Sequence, residues 1–247
     1  MENKEQMQES QYSFPYHHLA HIKDDGIYIF RHLFWGLEHV TYINFVIEKI
    51  KSHNPKSIVD IGCGEGRIIS ELAKNFSSNK LTGYDISKKA IGFAQAFVPS
   101  ANFETHDIVD KPLSTKHDCV VSCEVIEHIK PEEVTTYCKN IANSLNKDGY
   151  FYLTTPTTNI PTNKKHYQHF TKESLEVHLS PFFEIEEVDY LNCENAYSKF
   201  LNRLIANRFY ISNSKMLNKL VLNEYNKRVL KGNEKTGSRI YIKAKKK

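Results

Sequence analysis

The chain has 247 residues, enough for one sizeable core and too few for two ordinary enzyme domains joined by a linker. Its 40% hydrophobic and 25% charged residues exclude wholesale disorder, and no run approaches the roughly 18 apolar residues of a membrane-spanning helix. The start, MENKEQMQESQYSFP, lacks a signal peptide's apolar stretch, and five cysteines without a CxxC pair (Cys63, Cys119, Cys123, Cys138, Cys193) exclude a disulfide framework or zinc ribbon. A reduced, cytoplasmic protein is the expectation. The net charge of +4 hides a division: residues 1–198 carry 19 Lys+Arg against 27 Asp+Glu, and residues 199–247 carry 14 against 2. Such asymmetry suits nucleic acid, an anionic membrane surface or a phosphorylated ligand, and equally a basic tail packed on an acidic body.

In chain order, KSIVDI (56–61) reads as a buried strand ending at Gly62, and Arg67 to Asn75 as a helix. LTGYDI (81–86) is a second strand, after which Ser87 caps a helix running to about Val98. ANFETHDI (101–108) and DCVVSCEV (118–125) read as the third and fourth strands. Pro131 opens a helix carrying Val134, Cys138, Ile141 and Leu145, and Asp148-Gly149 turns the chain into the strand YFYLTTP. Thr171 with Ser174 starts another helix, and strands over 182–191 and 239–245 follow. Strands alternating with helices predict a parallel α/β sheet covered on both faces, with ligands beyond the carboxyl ends of its strands.

VDIGCGEG places Gly62, Gly64 and Gly66 between a strand and a helix, where the backbone turns sharply and a ligand meets no Cβ. Asp85 ends the next strand, where a carboxylate can accept both hydroxyls of an adenosine ribose. The glycine spacing is GxGxG and not GxGxxG, which disfavours a dinucleotide. VDIGCGEGR, GYDIS, HDI, DCVVSCEVIEHI and GYFYLTTP, in that order over residues 56–192, resemble the motifs of class I S-adenosylmethionine-dependent methyltransferases. The resemblance implies a Rossmann-like, doubly wound seven-stranded sheet whose antiparallel last strand is 239–245. It also implies S-adenosylmethionine as cofactor. Asp60, Gly62, Cys63, Gly64 and Gly66 would flank its methionine part, with the Ser122-Cys123 backbone near the sulfonium. Asp85 would hold the ribose, Ile86 would cover one adenine face, and Asp107 and Ile108 would meet the adenine edge.

Glu124, Glu127 and His128 follow the fourth strand, on one face if the chain is already entering a helix. His128 as general base, a divalent metal site, or a purely structural run remain open. Together with His166, just ahead of a helix start, the run resembles small-RNA 3′-terminal ribose 2′-O-methyltransferases, and EVIEH also resembles quinone-type O-methyltransferases. On that pattern Glu124, Glu127, His128 and His166 would bind the metal, and His128, Glu127 and His166 would serve catalysis. YQHF departs from the RNA family's aromatic-acidic stretch.

Residues 1–55 are expected as an N-terminal helical lid, 56–192 as the cofactor-binding core, 193–237 as a basic helical insertion, and 238–247 as the last strand and basic tail. In the lid, Tyr12, Phe14, Tyr16, His17, His18, Trp35 and Tyr42 either stack on an acceptor or the cofactor or staple the segment to the core, with Arg31 or His18 reaching a carboxylate or phosphate; Arg31 is counted in the cofactor-binding set. In the insertion Tyr197, Phe200, Leu201, Leu204 and Ile205 form one apolar stripe, and Met216, Leu217, Leu220 and Val221 a second, suited to core packing, a homodimer contact or an anionic surface. Only 6 of the 33 basic residues are Arg, which disfavours bidentate reading of RNA phosphates. The expected reaction is in-line methyl transfer to an oxygen of a small metabolite or sugar-like acceptor. RNA 2′-O-methylation and a non-catalytic accessory role are the alternatives.

Overall fold

The structure is a computed structural model that describes residues 21–23, 26–28, 33–205 and 215–247. The expectations placed on Tyr12, Phe14, Tyr16, His17, His18 and Arg31 lie outside the described residues. In chain order the described elements are two short strands, β1 (His21–Lys23) and β2 (Gly26–Tyr28), then α1 (Leu33–His53), β3 (Ile58–Ile61), α2 (Arg67–Leu72) and β4 (Leu81–Asp85). Next come α3 (Lys88–Phe97), β5 (Asn102–Thr105), β6 (His117–Cys123), α4 (Val134–Asn143), β7 (Leu145–Pro156), α5 (Lys172–Leu179) and β8 (Phe183–Cys193). Helices α6 (Ala196–Ile205) and α7 (Lys215–Arg228) precede the last strand, β9 (Gly237–Lys246). No helix among the described residues is long and apolar enough to cross a membrane.

The chain divides into two compact units, one of Met1–Tyr42 with Tyr190–Ser238, the other of Ile43–Asp189 with Arg239–Lys247. The lid and the insertion, read as separate segments, therefore fall in one unit. The lid's end also moves: the second half of α1 belongs to the larger unit, where Val46, Ile47 and Ile50 are buried. An antiparallel β1–β2 pairing stands in the segment expected to be helical.

In the larger unit the sheet order is β5-β4-β3-β6-β7-β9-β8. Strands β3 to β7 pair in parallel, and β9 lies antiparallel to β7, with Pro156 opposite Arg239. This is the Rossmann-like seven-stranded sheet, with an antiparallel last strand, that the motifs implied. Its middle strands bury Ile58, Val59, Val120, Val121, Phe151 and Leu153 completely. At about 1.5–3 kcal/mol for each such side chain, they account for the continuous apolar runs of the sequence.

Local signals set several boundaries. Ser87 Oγ accepts from Ala90 N–H (3.2 Å) at the start of α3, and Thr171 and Ser174 form a reciprocal capping box at α5. Helix α2 is shorter than its periodicity suggests, because Asn75 N–H bonds three residues back to Leu72 O (2.9 Å) and tightens the end. Leu145, read as the last apolar position of a helix, instead begins β7.

In the smaller unit Leu201, Tyr225 and Val229 form the core, with Leu37, Tyr197, Ile205 and Leu230 packed on it. Tyr225 Oη donates to Asn192 Oδ1 (3.0 Å). The two stripes are only partly used for packing. Leu201 and Val221 are buried, whereas Phe200, Leu204, Met216, Leu217 and Leu220 are exposed.

Candidate active site

The carboxyl ends of the parallel strands share one edge, and the strand order reverses between β3 and β6, where open α/β sheets bind ligands. After Ile61 the backbone passes through Gly62, Gly64 and Gly66 at φ of 74°, 53° and 83°. This is left-handed territory that glycine enters without penalty. Gly62 is also pinched, since a Cβ there would lie 2.3 Å from Val125 Cγ2. The N–H groups of Gly62 and Cys63 donate to Tyr84 O at 2.7 and 3.0 Å.

Asp85 ties the loop to the next strand. Its Oδ2 accepts from Gly64 N–H and its Oδ1 from Ser87 N–H, both at 2.9 Å. A carboxylate has about four acceptor positions. Asp60 is 1% exposed and, among the described residues, neither of its carboxylate oxygens has a hydrogen-bond partner. Burial first, then the Asp85 and Glu65 carboxylates, push its pKa well above the usual carboxylate range. An orphaned buried carboxylate beside a glycine cradle fits a ligand that brings a cationic group. Cys63 lines the same turn, its thiol pushed up by burial and by Asp60.

On the other side of the loop, Ile86 is 53% exposed, as a side chain that covers a flat ligand would be. Asp107 is exposed and its Oδ1 accepts from Val109 N–H (2.8 Å), while Ile108 is buried. Ser122 is fully buried. Its hydroxyl donates to Ile61 O (3.0 Å) and accepts from Tyr137 Oη (2.7 Å), so its side chain is committed to the core. Cys123 ends β6 half-buried.

The EVIEH run does not continue as the α-helix that would put Glu124, Glu127 and His128 on one face. Glu124 has φ of 59°, and a single 3-10 turn follows over Ile126–His128. The left-handed residue directs Glu124 elsewhere: Oε1 accepts from Thr154 Oγ1 (3.2 Å) and Oε2 from Arg239 Nε (3.0 Å). The side chains that come together are Glu127, His128 and His166, each with one ligand-capable atom within 4.8 Å of the others. The expected fourth member, Glu124, is instead the ion-pair partner of Arg239.

Glu127 is 1% exposed; Oε2 accepts from Thr155 Oγ1 (3.0 Å) and Oε1 has no partner among the described residues. Burial first, then the Glu124 carboxylate, raise its pKa well above the usual range. His128 Nδ1 donates to Lys165 O (3.1 Å), since a carbonyl can only accept. The His128 and His166 rings meet edge to face, centroids 4.8 Å apart. His166 Nδ1 lies 2.8 Å from His169 Nε2. Phe170, buried and bridged to Thr157, anchors this segment beside the end of β7. Thr155, Arg239 and His169 were not singled out as site residues from the sequence; of these, only His169 left a local trace, in the HxxH spacing with His166.

A family model described as a methyltransferase domain matches residues 37–190. The chain belongs to that family. The match takes in β3, the glycine loop, the EVIEH run and the His166 segment. It is 28% identical over 125 residues to the malonyl-[acyl-carrier protein] O-methyltransferase of Halalkalibacterium halodurans, covering 44% of this chain and 46% of that one. It is 28% identical over 124 residues to the ubiquinone biosynthesis O-methyltransferase of Nitrosomonas europaea, covering 47% and 51%. The chain thus spans about half the length of these two curated relatives. Among solved structures, the N-methyltransferase NodS of Bradyrhizobium japonicum WM9, in complex with S-adenosyl-L-homocysteine, superposes with a TM-score of 0.62. That match has 15% identity and covers 99% of this chain and 98% of NodS, a likeness of fold.

Proposed function

We propose that this methyltransferase transfers the methyl group of S-adenosylmethionine to a hydroxyl oxygen of a small acceptor, activated at the Glu127–His128–His166 cluster. The observation that carries the reading is that cluster: a buried carboxylate with one orphaned oxygen and two imidazoles, following the strand beside the glycine loop. The names of two relatives, acting in malonyl-carrier and ubiquinone chemistry as O-methyltransferases, agree with oxygen as the acceptor atom.

S-adenosylmethionine is the cofactor, and when bound it supplies an already activated, electrophilic methyl group. Asp60 would lie towards its cationic methionine end, Gly62, Gly64 and Gly66 would offer it backbone without side chains, and Asp85 would accept from its ribose hydroxyls. What remains for the chain is to align the acceptor oxygen at roughly 3–3.5 Å and to take its proton. His128, with Nδ1–H held by Lys165 O, keeps its electron pair on Nε2 and is the base of this reading. Glu127 beside it stabilises the imidazolium that forms.

The same donor set fits a divalent ion, since it combines one carboxylate and two imidazoles, with the other polar atoms of Glu127 and His128 already hydrogen-bonded to Thr155 and Lys165. A bound ion would lower the pKa of the acceptor hydroxyl. The RNA 2′-O-methylation reading is weakened by Glu124, whose carboxylate is held by Arg239 and Thr154.

The test is methyl transfer from labelled S-adenosylmethionine into a metabolite extract and, in parallel, into RNA 3′ ends. Label in small molecules that survive mild acid but not ether cleavage supports the reading. Label confined to RNA or to nitrogen overturns it. Binding of S-adenosylhomocysteine with no transfer to any pool leaves the accessory role.

A further inference from the structure

We propose that His169 is a positioning residue that fixes His166 as an Nε2 electron-pair donor within the Glu127–His128–His166 cluster. This deepens the proposed function and rests on that cluster being the working site. The chain of hydrogen bonds is directional. His169 Nδ1 lies 3.1 Å from Ile160 O, and a carbonyl only accepts, so that nitrogen carries a proton. The neutral His169 ring then has its electron pair on Nε2, which sits 2.8 Å from His166 Nδ1. The bond between the two rings therefore runs from His166 Nδ1–H to His169 Nε2, and the electron pair of His166 lies on Nε2.

Lys165 O imposes the same tautomer on His128 through Nδ1. One segment, residues 160–170, thus supplies the acceptors that set both imidazoles. The consequence is chemical. A free neutral imidazole prefers the opposite tautomer, with the proton on Nε2. In that form His166 would present an N–H to the cluster, and the partnerless Oε1 of Glu127 would be a ready acceptor for it. With His169 in place the cluster holds electron pairs for an acceptor proton or a cation. Burial and backbone hydrogen bonds hold the segment in position. Phe170 is buried, its N–H donates to Pro156 O (3.2 Å), and Tyr167 N–H donates to Glu127 O (2.8 Å).

The test is imidazole nitrogen NMR of the full-length, 15N-labelled protein above the histidine titration range, with no metal and no acceptor present. Wild type should show His166 protonated on Nδ1 and bare on Nε2. His169→Leu should shift His166 towards the Nε2–H form, and His169→Gln, whose amide oxygen still accepts, should restore the wild-type signal. A His166 that is Nε2–H in wild type, or unchanged in His169→Leu, overturns the proposal without reference to folding of a variant. In parallel, Co2+ titration read by its visible spectrum should weaken by about ten- to hundredfold in His169→Leu and recover in His169→Gln. If wild type takes up no Co2+, the metal reading fails while the NMR result still decides the role of His169.

Discussion

Gly62 and Val125 lie so close that a single added carbon would overlap: a Cβ on Gly62 would come within 2.3 Å of Val125 Cγ2. One residue follows β3, the other follows β6, and these are the strands between which the sheet order reverses. The glycine loop and the EVIEH run are therefore packed directly against each other.

Gly62→Ala should accordingly lose both stability and cofactor affinity. The left-handed φ costs about 1–2 kcal/mol for an alanine, and overpacking about 1–3 kcal/mol more. Adding Val125→Ala should remove the steric part and leave the conformational part. Thermal unfolding of the four proteins of this cycle reads the difference, and strict additivity of the two changes would contradict the contact.

Asp85→Ala removes the acceptor for Gly64 N–H and Ser87 N–H together with the proposed ribose contact. Hydrogen bonds to a charged group contribute about 1.5–3 kcal/mol each. Calorimetry with S-adenosylhomocysteine should therefore show affinity reduced by at least about tenfold. An unchanged dissociation constant would remove Asp85 from the binding set.

Asp60 gives the ligand-free protein a pH dependence of defined sign. Burial and the nearby carboxylates raise its folded pKa, so the folded state holds this proton after the unfolded chain has released it. Stability then falls as pH rises from about 4 through the folded pKa, and is unaffected by Asp60 at lower pH. Asp60→Asn should flatten that fall and raise the ligand-free Tm near neutrality by about 2–4 °C for each kcal/mol relieved. It should also lose stabilisation by S-adenosylhomocysteine. Parallel Tm–pH curves for the two proteins would contradict the burial argument.

Glu127→Gln keeps the shape of the cluster and removes its ionisable carboxyl, while His128→Ala removes the proposed base. Each should lower kcat by about 10²–10⁴-fold with cofactor affinity retained. Prolonged treatment with chelator separates the two chemistries: activity that disappears and returns with a divalent ion assigns a metal. Full activity in excess chelator leaves His128 as a metal-free base.

The sequence by itself determined what is decided within a few residues. Continuous apolar runs marked β3 and β6, Ser87 and Thr171-Ser174 marked helix starts through their own hydroxyls, and the glycines marked a turn that only glycine follows without strain. The ordered motifs carried the fold because each is a short strand–turn signal repeated along the chain. Tertiary structure alone decided which polar groups meet. Glu124 and Glu127 look equivalent in EVIEH, yet one left-handed residue sends Glu124 to Arg239, 115 positions away. His128 meets the His166 segment across 37 positions through Lys165 O, and the tautomer of His166 depends on where Ile160 O falls. The insertion's stripes show the same limit, since helical period told which side chains share a face but not that Met216 and Leu220 would remain exposed while Val221 is buried. Local chemistry is written in neighbouring residues, whereas partners are chosen by strand order and loop path, which bring together groups that no spacing in the sequence connects.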